Sequence, residues 1–451
     1  MNLKVIIPDD LTQVSEYTVK LIFEEFWGLK VLINKHEKET YIISDQQTGK
    51  TLSFPALFVS QEKSQWLQKR SQGNWGLKRF AFDKFDTLPV LFNGKPQSQE
   101  HDYGIDFFGT LFFLLNRYHE KTEEINQDDH GRNVADHTFL LRNNFIETPL
   151  ADLYLELFSK IIFKKFGVSL QVNSSFSILP SHDVDRPFEY LYYSSGKLIK
   201  RVSGDLLIRK SVIKAINRIK KVRKIKNGEH QLDPYNTFDW IMDISEKSGR
   251  KSTFHFIAEN TNGKYDQEYE LENPEIKKLL KKIYYRGHNI GLHPSYNSPI
   301  TRSQISKEYK KLKNAVNKLG IQQTVWKSRN HYLQWNTDCL SELEKAGVHV
   351  DQTLGFAGRP GFRCGTCIPF HPFNYRTKRK SEVLFEPLIL MEVSLFDKGY
   401  LGLGRNLEEA WNIVEGLKNQ CKKYSGNFTI LWHNNHLVDD EMKSFYQECL
   451  K

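Results

Sequence analysis

With 451 residues, 39% of them hydrophobic and 26% charged, the chain can bury two ordinary cores and is too apolar to be disordered. Five scattered cysteines exclude a disulfide framework, and the formal net charge of +10 is concentrated in one segment, residues 197–226. The longest apolar run, near residues 107–115, is too short to span a bilayer, and the opening residues read as strand and turn; the expectation is a cytoplasmic protein, at most peripheral to the inner face of the membrane.

Residues 1–172 carry the pattern of a mixed α/β domain of unknown role. Strands are expected over 3–7, 40–44 and 88–92, and helices over 14–27, 105–118 and 149–165. Asp128-Asp129-His130-Gly131-Arg132 has metal-binding residue types, but no further ligand stands at helical or strand spacing nearby, so it reads as a polar turn. The polar residues 171–175 mark a boundary to a second domain, 173–451.

That domain opens on Ser181-His182-Asp183-Val184-Asp185-Arg186-Pro187, which follows the apolar run 176–180 and so ends a buried strand. Alternation across a strand puts Asp183 and Asp185 on one side, about 7 Å apart, with His182 and Val184 on the other. Two carboxylates in one small space are costly unless a cation joins them or their roles diverge. A basic helical insertion follows at about 197–230. Between 197 and 226 stand twelve Lys or Arg and a single acid, Asp205, with apolar residues at near-helical spacing. That composition predicts an amphipathic helix whose cations form either a solvated face over the barrel or a surface that attracts a polyanion: an anionic membrane, a phosphate-linked sugar carrier or a nucleic acid.

From 233 onward helices and strands alternate: helices over 237–248, 274–285, 303–319, 337–346 and 407–424, and strands over 252–258, 288–293, 324–328, 348–351, 384–393 and 427–432. Alternation of this kind implies parallel strands joined by helices, and the number of repeats favours a barrel. Polar residues fall at the strand ends, namely His293, Arg329 with His331, Asp351 and His433, and a barrel gathers such ends around one mouth. Cys364 and Cys367 have a zinc or thiol spacing but no second pair to complete it, and read as ordinary reduced cysteines.

Four motifs in order, Ser-His-Asp-Val-Asp at 181–185, Gly-His-Asn-Ile-Gly-Leu-His-Pro-Ser at 287–295, Ser-Arg-Asn-His at 328–331 and Leu-Trp-His-Asn at 431–434, resemble those of the polysaccharide deacetylase superfamily, the nodulation-type deacetylases of carbohydrate esterase family four. Asp351-Gln-Thr-Leu-Gly-Phe with Gly361-Phe-Arg-Cys-Gly-Thr is similar to a variant found in a branch from Bacteroidetes-like bacteria, and the first domain resembles the uncharacterised domain that accompanies it. The resemblance implies a distorted (β/α)7 barrel and one divalent metal, zinc first. It also implies an N-acetylated sugar or lipid-linked glycan as substrate, and no nucleic acid. Asp183 then resembles the catalytic base, Asp185 and His293 metal ligands, Arg329 the residue that orients the base, and His433 the general acid, with Asp351, Arg363 and Trp432 expected to bind substrate.

One position departs from the pattern. Where the family has a second histidine, four residues after the first, this chain has Asn297, a poor zinc donor beside imidazole. His331 is the candidate to replace it, ahead of His182 and His436, while Glu392 is read only as polarity at the mouth. The leading expectation is a metal-dependent carbohydrate N-deacetylase. Hydrolysis of another amide or a cyclic imide, or a non-catalytic glycan-binding role signalled by Asn297, stand as alternatives.

Overall fold

A computed structural model of the chain describes residues 3–70, 78–82, 85–93, 101–266, 268–336 and 338–451. The first part holds a four-stranded sheet in the order β2-β1-β3-β4, made of β1 (Leu3–Pro8), β2 (Leu32–His36), β3 (Thr40–Asp45) and β4 (Thr51–Pro55). β1 runs parallel to β2 and antiparallel to β3. A separate antiparallel pair follows, β5 (Lys78–Phe82) with β6 (Phe85–Val90). The helix Phe107–Leu115 is apolar all round, and all nine of its residues are buried, as such a composition requires. Asp106 caps it by accepting from the backbone N–H of Gly109 at 2.7 Å. The helix expected over 14–27 is α-helical at Thr12–Lys20 and widens into a π-turn at Leu21–Phe26.

The second part is a distorted (β/α)7 barrel. Its parallel strands are β7 (Ser177–Val184), β8 (Thr253–Phe256), β9 (Asn289–Leu292), β10 (Lys327–Ser328), β11 (Val350–Asp351), β14 (Leu384–Phe385), β15 (Leu390–Met391) and β16 (Asn427–Leu431), after a small hairpin of β12 (Phe373–Asn374) and β13 (Arg379–Lys380). The order β14-β11-β10-β9-β8-β7-β16-β15 leaves β14 and β15 at opposite edges, yet they are joined by residues 386–389 alone. They are two halves of one strand, interrupted where Pro387 has no N–H to donate. Glu386 N–H still donates to Asp351 O (2.9 Å) and Ile389 N–H to Thr429 O (3.1 Å), so this segment passes from β11 to β16 and completes seven positions around the ring.

Several expectations need correction. The strand expected over 384–393 is broken in this way and ends in a helical turn, Glu392–Phe396; the hairpin β12–β13 and the terminal helix Asp440–Cys449 were not foreseen. The single basic helix is a pair, Ser195–Leu207 and Val212–Lys226, broken around Lys210, whose φ of 49° is left-handed. The helix expected from 337 is seen as Cys339–Ala346; residue 337 lies outside the described residues. The sheet of the first part and the barrel share one continuous apolar core. Backbone bonds stitch them together, Phe362 N–H to Ile146 O and Ala151 N–H to Gly365 O, each 2.7 Å. Gly361, at φ 136°, makes the first possible, since a Cβ there would stand 2.3 Å from Ile146 O.

Candidate active site

Three donors converge at the barrel mouth because three strands of one side of the ring end there. Asp185 follows β7, His293 follows β9 and His331 lies just beyond β10. Asp185 Oδ1 is 3.2 Å from His293 Nε2 and 3.5 Å from His331 Nδ1, and those two nitrogens are 3.0 Å apart. The far side of each imidazole decides its tautomer. His293 Nδ1 points at the carbonyl of Arg329 and His331 Nε2 at that of Tyr265, and only N–H groups can bond there. With those protons fixed, His293 Nε2 and His331 Nδ1 face each other as lone pairs. Asp185 Oδ1, buried and without a hydrogen bond, completes the group. Three facing lone pairs repel unless a cation sits among them, either a proton, which Asp183 and Asp185 favour on His293 against its burial, or a metal ion. One carboxylate and two imidazoles within 4.8 Å of one another suit a divalent ion of the zinc class, so these residues fit the metal that the sequence implies.

Asp183 stands beside this group, its Oδ2 3.6 Å from His293 Nε2. Arg329, fully buried, donates from Nη1 to Asp183 Oδ1 (3.0 Å), from Nη2 to Ser181 Oγ (2.7 Å) and from Nε to Gln352 O (3.0 Å), so its fork is fixed on three sides. Burial alone would raise the Asp183 carboxyl, but positive charge at His293, from a proton or an ion on its Nε2, and then the Arg329 guanidinium outweigh it and hold it well below the usual range. His255 adds a ring 3.4 Å away that burial keeps neutral, pushed down to about 3. Gly291 on β9 makes room for it, as a Cβ there would meet the His255 ring at 2.3 Å.

On the other side of Asp185, His433 Nε2 lies 3.6 Å from Asp185 Oδ2. Glu392 Oε1 accepts from His433 Nδ1 at 2.6 Å, from the His433 backbone N–H at 3.0 Å and from His436 Nδ1 at 2.7 Å. Burial would lower the His433 imidazole, but Glu392 first, and the two aspartates after it, push it up to about 10. A buried carboxylate held ionised and an imidazole held protonated thus flank the three candidate ligands, a division of labour that suits acid–base hydrolysis.

Residues 233–350 match the family model for polysaccharide deacetylase, and residues 3–167 match a family of unknown function, DUF7033. The barrel contains a polysaccharide deacetylase domain. Among solved structures, the chain is similar to a candidate polysaccharide deacetylase from Mycobacterium smegmatis, with 11% identity, coverage of 61% of this chain and 83% of that one, and a TM-score of 0.39. It is also similar to an allantoinase (12%; 47% and 65%; 0.34) and to a candidate deacetylase of O-antigen biosynthesis from Bordetella bronchiseptica (13%; 45% and 66%; 0.26). Scores this low carry nothing further. No curated protein matches the chain.

The mouth of the deacetylase barrel opens into a cleft of about 580 Å³, lined by Asp183, Asp185, His331 and His433. Its lining includes Tyr192, Tyr193, Tyr235, Tyr265, Tyr332 and Tyr400, and an apolar cluster of Leu333, Met391, Val393 and Leu431. Arg132, from the first part of the chain, lines the same cleft. The 128–132 turn therefore does more than join two helices.

The other expected site residues lie elsewhere. Asn297 uses its amide Nδ2 to donate to Thr261 O (2.8 Å) and its backbone N–H to donate to Thr261 Oγ1 (3.0 Å), so it ties a loop. None of the three residues expected to bind substrate lines the cleft. Asp351 is buried and accepts from Thr353 N–H (3.0 Å) and its hydroxyl (2.7 Å); Arg363 is buried against Glu120 (2.7 Å). Trp432 is fully buried, with Phe396, Phe445 and Tyr446 around it. His182 points away from the mouth, as alternation demands, with its Nδ1 2.7 Å from Trp432 O. Glu392 was undervalued and His255 missed. The signal for Glu392 was the one applied elsewhere, a charged residue at a strand end, whereas His255 lies inside a strand and had no such mark.

Proposed function

We propose that the protein is a metal-dependent hydrolase that removes an N-acetyl group from a sugar in a polysaccharide or lipid-linked glycan, with Asp183 as base, His433 as acid, Arg329 orienting the base, and Asp185, His293 and His331 as metal ligands. The observation that carries this reading is the set of three lone pairs turned inward on Asp185, His293 and His331, between an ionised Asp183 and a protonated His433. A bound divalent cation, zinc first, would polarise the acetamide carbonyl and acidify water. Asp183 takes a proton from the water whose oxygen bonds to the acetyl carbon, and Arg329 keeps that carboxylate aimed and ionised until it does. His433 delivers its Nε2 proton to the departing nitrogen as the C–N bond breaks, leaving acetate and a free amine. The apolar cluster suits the acetyl methyl, and the lining tyrosines suit the faces of sugar rings.

The non-catalytic alternative drew its support from Asn297, and His331 beside Asp185 weakens it. Acetate release from N-acetylated oligosaccharides tests the proposal, with Asp183→Asn as the control. Release by the wild type that is lost in that variant supports it; equal release by both would overturn it.

A further inference from the structure

The two basic helices do not merely carry charge. Of the 15 large hydrophobic residues exposed among the described residues, eight fall within 199–219. Four strongly exposed ones stand at the tip where the helices meet, Leu207 (77%), Ile208 (83%), Val212 (62%) and Ile213 (73%), with Ile216 and Ile219 continuing the ridge along the second helix. Below these side chains, in contrast, the hairpin is pinned. Close to the turn Asp205 accepts from Arg218 Nε at 2.6 Å and Arg209 Nη1 at 2.7 Å, locking the two helices together. Ala215, Val222 and Ile225 are buried, and Lys226 Nζ donates to Tyr193 O at 2.7 Å.

We propose that this hairpin docks the protein on an anionic lipid surface, with residues 207–213 entering the headgroup layer and the surrounding lysines and arginines meeting lipid phosphates. Charge selects this occupant. The segment holds +11, so a second copy of the chain would meet like with like, and interface cores between proteins are poor in lysine. A nucleic acid would answer the charge but not an apolar tip. An apolar ridge bordered by Lys and Arg is the pattern of an interfacial helix. Lys197 and Arg201 on the first helix also line the cleft, so docking brings the cleft mouth to the lipid surface.

The test is co-sedimentation of the full chain with vesicles of phosphatidylcholine alone or mixed equally with phosphatidylglycerol, read without substrate and so independent of the deacetylase reading. Wild type is expected to bind only the anionic vesicles and to keep part of that binding in high salt. Replacing Leu207, Ile208, Val212 and Ile213 by serine leaves the fold's core untouched and should weaken binding about tenfold or more, with the remainder abolished by salt. Equal binding by wild type and the serine variant, or no preference for anionic vesicles, overturns the proposal. So does sedimentation velocity showing wild-type self-association that the serine variant loses.

A second observation is independent of the hairpin. Tyr332 and Leu333, directly after His331, both have left-handed backbone, at φ 58° and 54°, which their side chains disfavour. The first part of the chain holds them there. Arg132 Nη1 donates to Tyr332 O (3.0 Å), the His130 ring lies 4.3 Å from the Tyr332 ring, and Gln334 Nε2 donates to His130 O (3.0 Å). We infer that Arg132 and His130 are positioning residues that clamp His331 into the metal site, which gives the first domain a part in the barrel's chemistry. This rests on His331 being a metal ligand. Titration of the metal-free protein with Co²⁺ should show affinity about 10- to 100-fold weaker in Arg132→Ala and a smaller loss in His130→Ala. Adding Tyr332→Gly to Arg132→Ala should regain part of it, because glycine adopts left-handed backbone without strain. Wild-type affinity in both single variants, or no recovery in the double variant, overturns the clamp alone. A wild type that binds no cobalt overturns the ligand reading with it.

Discussion

Replacing Glu392 by glutamine tests the acid most sharply, because it removes a charge while leaving an amide oxygen able to accept from His433 Nδ1 at the same 2.6 Å contact. His433 is pushed up to about 10 from an ordinary value near 6.5, a gain worth about 5 kcal/mol of preference for the protonated ring. Glu392 is the first contributor to that rise, ahead of Asp185 and Asp183, and a bound cation offsets much of the aspartates' share. Removing it should therefore bring His433 down by about two pH units or more. The sign is fixed by the role. A general acid works while it is protonated, so the wild type keeps its rate into alkaline solution and the variant loses it earlier. The assay is kcat for acetate release against pH. The alkaline limb should move toward neutral pH by about two units, with a loss of about tenfold to a hundredfold at pH 9 and little change near pH 6. Superimposable alkaline limbs would refute the assignment of His433 as the acid.

Three further variants separate the remaining roles. His331→Ala should remove metal and activity together, whereas Asn297→Ala should change metal content little, as read by metal analysis after dialysis; the reverse order would make Asn297 the ligand and favour harder cations. Asp183→Asn should keep its metal yet lose about 10²- to 10⁴-fold in rate, because only the base is gone. Arg329→Met should leave the Asp183 carboxylate buried without its partner, costing about 3–5 kcal/mol and lowering the calorimetric unfolding temperature by several degrees; an unchanged unfolding temperature would show that the pair is not stabilising.

The order of the barrel was legible because buried parallel strands and their crossover helices write two different periods into the chain, and the strand-end acids and histidines could be read as one cluster once a barrel was inferred. Alternation along β7 correctly sent His182 outward and Asp183 with Asp185 inward. What the residues could not show was tertiary. Asp351 ends a strand and Trp432 follows one, as the residues lining the cleft do, and only packing reveals that Thr353 and a ring of aromatics enclose them, as Glu120 does Arg363. The 128–132 turn looked inert because its partners, Tyr332 and Gln334, lie some two hundred residues away. The hairpin's cations were plain in the sequence, but which of its apolar residues faced inward was not, since Ala215, Val222 and Ile225 share the same helical spacing as the exposed ridge.

The central claim, a metal-dependent deacetylase, is tested most directly by measuring acetate released from a panel of N-acetylated sugars by the purified protein before and after chelation. The account predicts one divalent metal per chain, release of acetate with a matching free amine, loss of that release on chelation, and recovery with zinc or cobalt. A protein that takes up none of zinc, cobalt, manganese or nickel at micromolar concentration, or that releases acetate equally well after its metal is removed, would contradict it.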